Sequence, residues 1–230
     1  MQQGKSYANI ILNKILAKEY KSRQLDYYLT MLFFSTLYKL GGNMDKIYEY
    51  IEENPVIVAV KNDRELNKAL KLKNKVVFVL YGDICNISTI VEKLKEKSKK
   101  VIVHIDLISG LSNREIVIDF IAKNTRTDGI ITTRPNNIKR AKELGLFTVL
   151  RFFLIDSISY ENIDKTLKQV SPDMVEILPG LMPKVIEKIY KKTNTPIIAG
   201  GLIVDKEDAI NALNAGAIGI STTNNKVWEM

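Results

Sequence analysis

Three charged residues stand inside apolar runs, where a charge is costly unless it is paired or meets a ligand. They are Asp106 before Leu107, Arg151 before Phe152 and Glu176 before Ile177. Two carboxylates and a guanidinium suit the hydroxyls of a polyol, and a carboxylate beside a C–H or O–H proton can act as a base. Lys61 is a further cation in an equivalent position. A second set has the chemistry of an anion site. Ala199-Gly200-Gly201 leaves backbone N–H groups uncovered by side chains, and Ser221-Thr222-Thr223-Asn224 adds hydroxyls ahead of a short final helix over 225–230. Glycine-rich backbone, hydroxyls and a helix start together fit a phosphate dianion; the plainer alternative is a tight turn. His104, the one histidine, lies two residues before Asp106 and shares its face if the strand runs on. It reads either as a hydrogen-bonded core residue or as a buried base. With one His and one Cys, a His-rich metal site and a Cys/His zinc cluster are excluded.

The elements that must position these residues form one alternation. Short Val/Ile-rich runs begin near Val56, Val76, Val101, Gly129, Phe147, Met174, Pro196 and Ala217. Between them lie segments with apolar residues at i, i+3, i+4 and i+7, for example Ile87, Ile90, Val91 and Leu94, or Met182, Val185, Ile186 and Ile189. Asp63, Asn136 and Asp205 stand where helix N-caps are wanted, and Gly145 and Gly216 where helices stop. Strands separated by helices pair in parallel through right-handed crossovers, and eight such units close a compact α/β barrel of the (β/α)8 TIM type. An open doubly wound sheet would need a G-x-G-x-x-G turn after the first strand, which is absent from the sequence. In such a barrel function sits at the C-terminal strand ends. Here those ends read Lys61-Asn62, Gly82-Asp83, Asp106, Thr132-Thr133-Arg134, Arg151, Glu176, Gly200-Gly201 and Ser221 to Asn224.

The 230 residues are 46% apolar and 26% charged, ordinary for a globular chain, and large enough for a sizeable core. Cys85 has no internal disulfide partner, which points to a reducing, cytoplasmic setting. The net charge of +8 is uneven. Residues 1–43 carry six Lys/Arg against two acids, which leaves 28 against 24 in the rest. The charge permits a phosphorylated or RNA partner without requiring one. Basic clusters at 93–100 and 188–192 fall late in helices, as solvated faces do, whereas Arg134, Lys139 and Arg140 stand beside the barrel mouth. The apolar stretch at 27–38 is about 12 residues, short of the ~20 that span a membrane.

Residues 1–43 differ in composition from the barrel at 44–230. They read as an N-terminal helical extension stopped by Gly41-Gly42. An alternative expectation is a mis-assigned start. GGA followed by any Gly codon spells GGAGG, a bacterial ribosome-binding sequence, just upstream of Met44. The nucleotide sequence and the mass of the mature protein test this.

The stretches VHIDLISGLS (103–112), TTRPNNIKRAKELG (132–145), LRFFLIDS (150–157), VEILPGLMPK (175–184), PIIAGGLI (196–203) and STTNNKVW (221–228) closely resemble the glycerol uptake operon antiterminator family. The likeness spans residues 55 to 230 and leaves out 1–43. It implies a regulator and not an enzyme, with glycerol 3-phosphate as effector, no cofactor, and the leader mRNA of glycerol catabolic operons as partner. It places the phosphate on Gly200, Gly201, Thr222 and Thr223 with Ser221 and Asn224 nearby, and the glycerol end on Asp106, Arg151 and Glu176. Oligomerisation is left open. Two other readings share the barrel: a phosphosugar or triose-phosphate isomerase, epimerase or synthase, and a barrel used only as an interaction module.

Overall fold

The computed structural model describes residues 45–112 and 114–229, and its barrel unit spans Ile47–Met230. The N-terminal extension and its Gly41-Gly42 stop lie outside the described residues. In chain order the elements are α1 (Asp45–Glu53), β1 (Val56–Val60), α2 (Asp63–Ala69), β2 (Val76–Val79), α3 (Ile87–Glu96), β3 (Lys100–His104), a 3-10 turn (Ile105–Leu107), α4 (Ile116–Asn124), β4 (Gly129–Thr132), α5 (Pro135–Glu143), β5 (Phe147–Phe153), α6 (Ser157–Val170), β6 (Met174–Leu178), α7 (Pro183–Tyr190), β7 (Ile197–Gly200), α8 (Lys206–Asn214), β8 (Gly219–Thr222) and α9 (Asn225–Trp228). All eight strands pair in parallel and in sequence order, and β8 returns to β1 to close the barrel. The (β/α)8 expectation holds.

Alternation within each strand supplies two buried layers. Val101 and Val103 pack with the helices in the outer apolar layer, whose helical side includes Ile87, Ile90, Val91 and Leu94. Ile102 and His104, on the opposite face, fill the barrel interior. The helix α1, not foreseen in the strand–helix alternation, covers the N-terminal end of the barrel. Ile47 and Ile51 are buried, the Tyr48 hydroxyl donates to the Asp173 carbonyl at 2.8 Å, and its ring meets Phe147 edge-on at 5.6 Å. That end is therefore stoppered, and the open mouth lies at the C-terminal strand ends.

Two cap assignments change. Asn62, not Asp63, caps α2, accepting from the Glu65 N–H at 2.9 Å, while Asp63 accepts from the Tyr81 hydroxyl. Pro135 opens α5, so Asn136 lies inside that helix. Pro has no N–H to lose in the first turn, which makes it a natural start there. Asp205 caps α8 as expected. Strand ends also shift: β3 stops at His104, and β5 and β6 continue past Arg151 and Glu176 to Phe153 and Leu178.

Candidate functional site at the barrel mouth

A cavity of about 570 Å³ opens between the C-terminal ends of β1, β5, β6, β7 and β8. Its floor is a charged cluster. Glu176 on β6 is fully buried and accepts from Arg151 Nε on β5 at 2.6 Å and from the Ser221 hydroxyl on β8. The sheet register sets Arg151 directly opposite Glu176. Arg151 is held through Nε alone, so both its terminal nitrogens lack an acceptor among the described residues. Gly200 lies beneath, with no room for a side chain: a Cβ there would sit 2.6 Å from Glu176 Oε1.

The wall comes from the loops after β7 and β8. Gly201 and Leu202 both have positive φ, +75° and +62°. For leucine that conformation costs on the order of 1–2 kcal/mol, and such strain concentrates at functional sites. The backbone N–H groups of Gly201, Leu202 and Thr223 find no acceptor among the described residues. Thr222 and Asn224 are occupied structurally. The Thr222 hydroxyl donates to the Ile203 carbonyl at 2.8 Å and accepts from the Asn224 N–H; the Asn224 amide donates to the Val204 carbonyl and accepts from the Lys226 N–H. Thr223 keeps its hydroxyl free among the described residues. At the rim, half-exposed Lys61 lies 3.7 Å from Glu65, whose other oxygen accepts the Lys61 backbone N–H.

The structure thus brings Lys61, Arg151, Glu176, Gly201, Ser221, Thr222, Thr223 and Asn224 to one cavity. Asp106 is not among its lining residues. It sits in the 3-10 turn past β3, so strand alternation does not carry over to it, and its carboxylate is spent on the end of β4: it accepts from the Thr133 N–H at 2.7 Å and from the Thr132 and Thr133 hydroxyls. Glu65, Leu202 and Asn225 also line the cavity, beyond the residues that the sequence pattern marks. Only the Lys61–Glu65 spacing of four residues hinted at Glu65, which otherwise reads as one more polar residue on a helix.

His104 is buried, and its Nδ1 has no hydrogen-bond partner among the described residues. Burial, then the Arg151 guanidinium, push the imidazole down to about 3, with Asp106 pulling the other way. The unfolded chain therefore takes up a proton below pH 6.5 that the folded chain refuses until about pH 3. This contribution to stability is complete above pH 6.5 and is lost as pH falls towards 3, roughly 2–3 kcal/mol of it by pH 4.5. Denaturant titrations at pH 7 and 4.5 check this: the acid loss shrinks by about that amount in His104→Gln.

The basic residues sort by occupation. In the 93–100 cluster, Lys95 and Lys100 hold Asp128 at 2.6 and 3.0 Å, and Lys99 donates to the Leu72 and Asn74 carbonyls. Arg140 is taken by Asp119 and Glu143. Lys192 lies over the Tyr160 ring. Near the mouth, Lys139 is exposed, and Arg134 is only 4.0 Å from Asp106. Among the described residues, no cluster of His, Cys, Asp or Glu could hold a metal ion, and no helix is long and apolar enough to cross a membrane.

Closed parallel sheet and mouth cavity together define a (β/α)8 barrel with a small-molecule-sized pocket at its functional end. Residues 56–228 match the family described as glycerol-3-phosphate responsive antiterminator, and the chain belongs to that family. The structure is similar to the glycerol uptake operon antiterminator regulatory protein of Listeria monocytogenes, at 35% identity and a TM-score of 0.75, covering 76% of this chain and 95% of that one. It is also similar to a glycerol uptake operon antiterminator-related protein of Thermotoga maritima, at 35% identity and a TM-score of 0.68 over 76% and 98% of the two chains. An Escherichia coli K12 protein, YgcP, described as uncharacterized, is 48% identical over 180 residues, which are 78% of this chain and 94% of that protein. Deoxyribose phosphate aldolase of Aeropyrum pernix, at 14% identity and a TM-score of 0.60 over 81% and 92% of the two chains, shares the fold alone.

Proposed function

We propose that this chain is a cytoplasmic antiterminator that binds glycerol 3-phosphate in the mouth cavity and, so loaded, acts on the leader mRNA of glycerol catabolic operons. Family membership supports the reading. The observation that carries it is the stock of unspent donors in one cavity: both terminal nitrogens of Arg151 and the N–H groups of Gly201, Leu202 and Thr223. An anion is what such a set satisfies. In this reading the β7 and β8 loops, the Thr223 hydroxyl and Lys61 hold the phosphate, and Arg151 and Glu176 meet the glycerol hydroxyls. Asp106 acts indirectly, by fixing the β4 end from which Arg134 projects. RNA phosphates would meet Arg134 and Lys139, which the fold leaves less occupied than the helical clusters.

A regulator also fits the carboxylates. Glu176 is tied to Arg151 and Ser221, and Glu65 to Lys61, so neither stands as a free base over the cavity. Calorimetric titration of the full chain with sn-glycerol 3-phosphate, with glycerol and inorganic phosphate as controls, tests the reading. Selective binding without turnover is expected, weakened roughly ten-fold by Lys61→Ala, the loss of one charge-assisted contact. Leader RNA is then titrated with and without the ligand. Absence of binding, or turnover that Glu176→Gln abolishes, overturns it. Trp228 is a built-in reporter: its indole donates to the Thr222 carbonyl at 2.7 Å, next to the phosphate loop.

A further inference from the structure

Glu65 stands in the cavity wall with one carboxylate oxygen used and the other unused. It occupies the first turn of α2, where the Asn62 side chain accepts from its backbone N–H at 2.9 Å. Its Oε2 folds back and accepts the Lys61 backbone N–H, also at 2.9 Å. The two bonds fix the side chain much as a capping box does, and capping needs only that one oxygen. Oε1 lies 3.7 Å from the Lys61 ammonium, beyond hydrogen-bond distance, and accepts from no donor among the described residues. The side chain is only 10% exposed, so little water reaches an oxygen that has no donor of its own. Leaving such an atom unpaired is costly, and it asks for a reason. The other carboxylate and carboxamide oxygens of the wall are committed or closed off. Glu176 gives one oxygen to Arg151 and the other to Ser221, and Asn224 Oδ1 accepts from the Lys226 N–H. Asn225 Oδ1 has no partner among the described residues but is enclosed within the protein. Donors, by contrast, are plentiful in this cavity. They suit a ligand's oxygens, while a hydroxyl also needs an acceptor for its own hydrogen.

Resting on the functional reading above, we infer that Glu65 is a specificity-determining residue, whose Oε1 accepts a hydrogen bond from a hydroxyl of the bound phosphorylated polyol. The Lys61 ammonium beside the carboxylate offsets its charge against the phosphate. Recognition by a nearly buried group of this kind is selective, because a ligand lacking the hydroxyl leaves that group unpaired. Glu65 therefore separates a polyol phosphate from an alkyl phosphate of the same length. It does so as an acceptor, with no proton transferred.

Calorimetry on the full chain tests this with sn-glycerol 3-phosphate and two analogues, each with one hydroxyl replaced by fluorine. Fluorine is close to a hydroxyl in size and cannot donate. Wild type is compared with Glu65→Met, which keeps the length and loses both oxygens. The second variant, Glu65→Gln, keeps an oxygen for the Lys61 N–H and loses the charge. Wild type is expected to bind one fluoro analogue at least about ten-fold more weakly than sn-glycerol 3-phosphate. Glu65→Met loses that discrimination, and Glu65→Gln reduces it about five-fold, because a neutral acceptor is weaker than a charged one. Fluoro analogues that both bind wild type as tightly as sn-glycerol 3-phosphate overturn the inference and leave the functional reading standing. So does a penalty that persists undiminished in Glu65→Met or, if that chain does not fold, in Glu65→Gln. Equal weakening of all three compounds in a variant also overturns it, since Glu65 then acts only by holding Lys61. Failure of wild type to bind sn-glycerol 3-phosphate overturns the functional reading itself.

Discussion

Arg151→Met is expected to lower the stability of the folded chain by about 3–5 kcal/mol and, on the proposed function, to abolish binding of glycerol 3-phosphate. The first effect follows from what remains. Glu176 is fully buried, and among the described residues its only cationic partner is the Arg151 guanidinium at 2.6 Å. Removing the cation leaves a carboxylate in the barrel interior with one hydroxyl donor, Ser221, and an uncompensated buried charge costs about that much. For a domain of this size the shift in Tm is roughly 6–20 °C. The second effect follows from the two terminal nitrogens that Arg151 alone supplies to the cavity. The double variant Arg151→Met/Glu176→Gln separates the two: it regains much of the stability, because no charge is stranded, and none of the binding. Denaturant unfolding and calorimetry on the single and double variants are the measurements. Wild-type affinity in the double variant would place the ligand elsewhere.

Gly200→Ala is the second large effect, and it arises from one methyl group. The Gly200 backbone is not in the left-handed region, so the demand for glycine is spatial. A Cβ would lie 2.6 Å from Glu176 Oε1 and 2.7 Å from Ser221 Oγ. Neither can retreat cheaply, since the carboxylate is clamped by Arg151 and the hydroxyl is bonded to the carboxylate. Overpacking of this kind costs about 1–3 kcal/mol, and prising Ser221 from Glu176 distorts the cavity floor, so affinity for glycerol 3-phosphate should fall at least ~10-fold. Gly145→Ala is the control. Gly145 has φ +72° and open space where a Cβ would go, so the substitution carries only the backbone strain of about 1–2 kcal/mol and leaves affinity unchanged.

The mouth cavity was largely legible in the sequence because strand ends announce themselves. A polar residue inside a Val/Ile run marks where a barrel strand reaches the surface, and this singled out Lys61, Arg151, Glu176 and the Gly200-Gly201 and Ser221–Asn224 stretches, eight of whose residues line one cavity. Asp106 carried the same mark, yet it lies away from that lining. The chain leaves β3 at His104 and turns, and period-two reasoning has no force beyond the strand. Helix α1 escaped notice because it precedes the repeating alternation and shows a single aliphatic pair at helical spacing, Ile47 with Ile51.

The repeating architecture followed from the order of residues alone. Eight apolar runs separated by amphipathic segments admit few parallel arrangements, and both signals are local: each depends on neighbouring residues. Tertiary structure was needed to decide which polar groups are spent and which are free. Glu176 finds one partner 25 residues earlier and another 45 residues later, while the Thr222 hydroxyl reaches back 19 residues to a carbonyl. A residue type advertises a capacity to donate or accept; whether that capacity is already used depends on atoms brought close by barrel closure, and no local pattern records them. For that reason His104 Nδ1 and the Thr223 hydroxyl stand out as unspent among the described residues, while Asp106, Thr222 and Asn224 prove engaged, only once the barrel is closed.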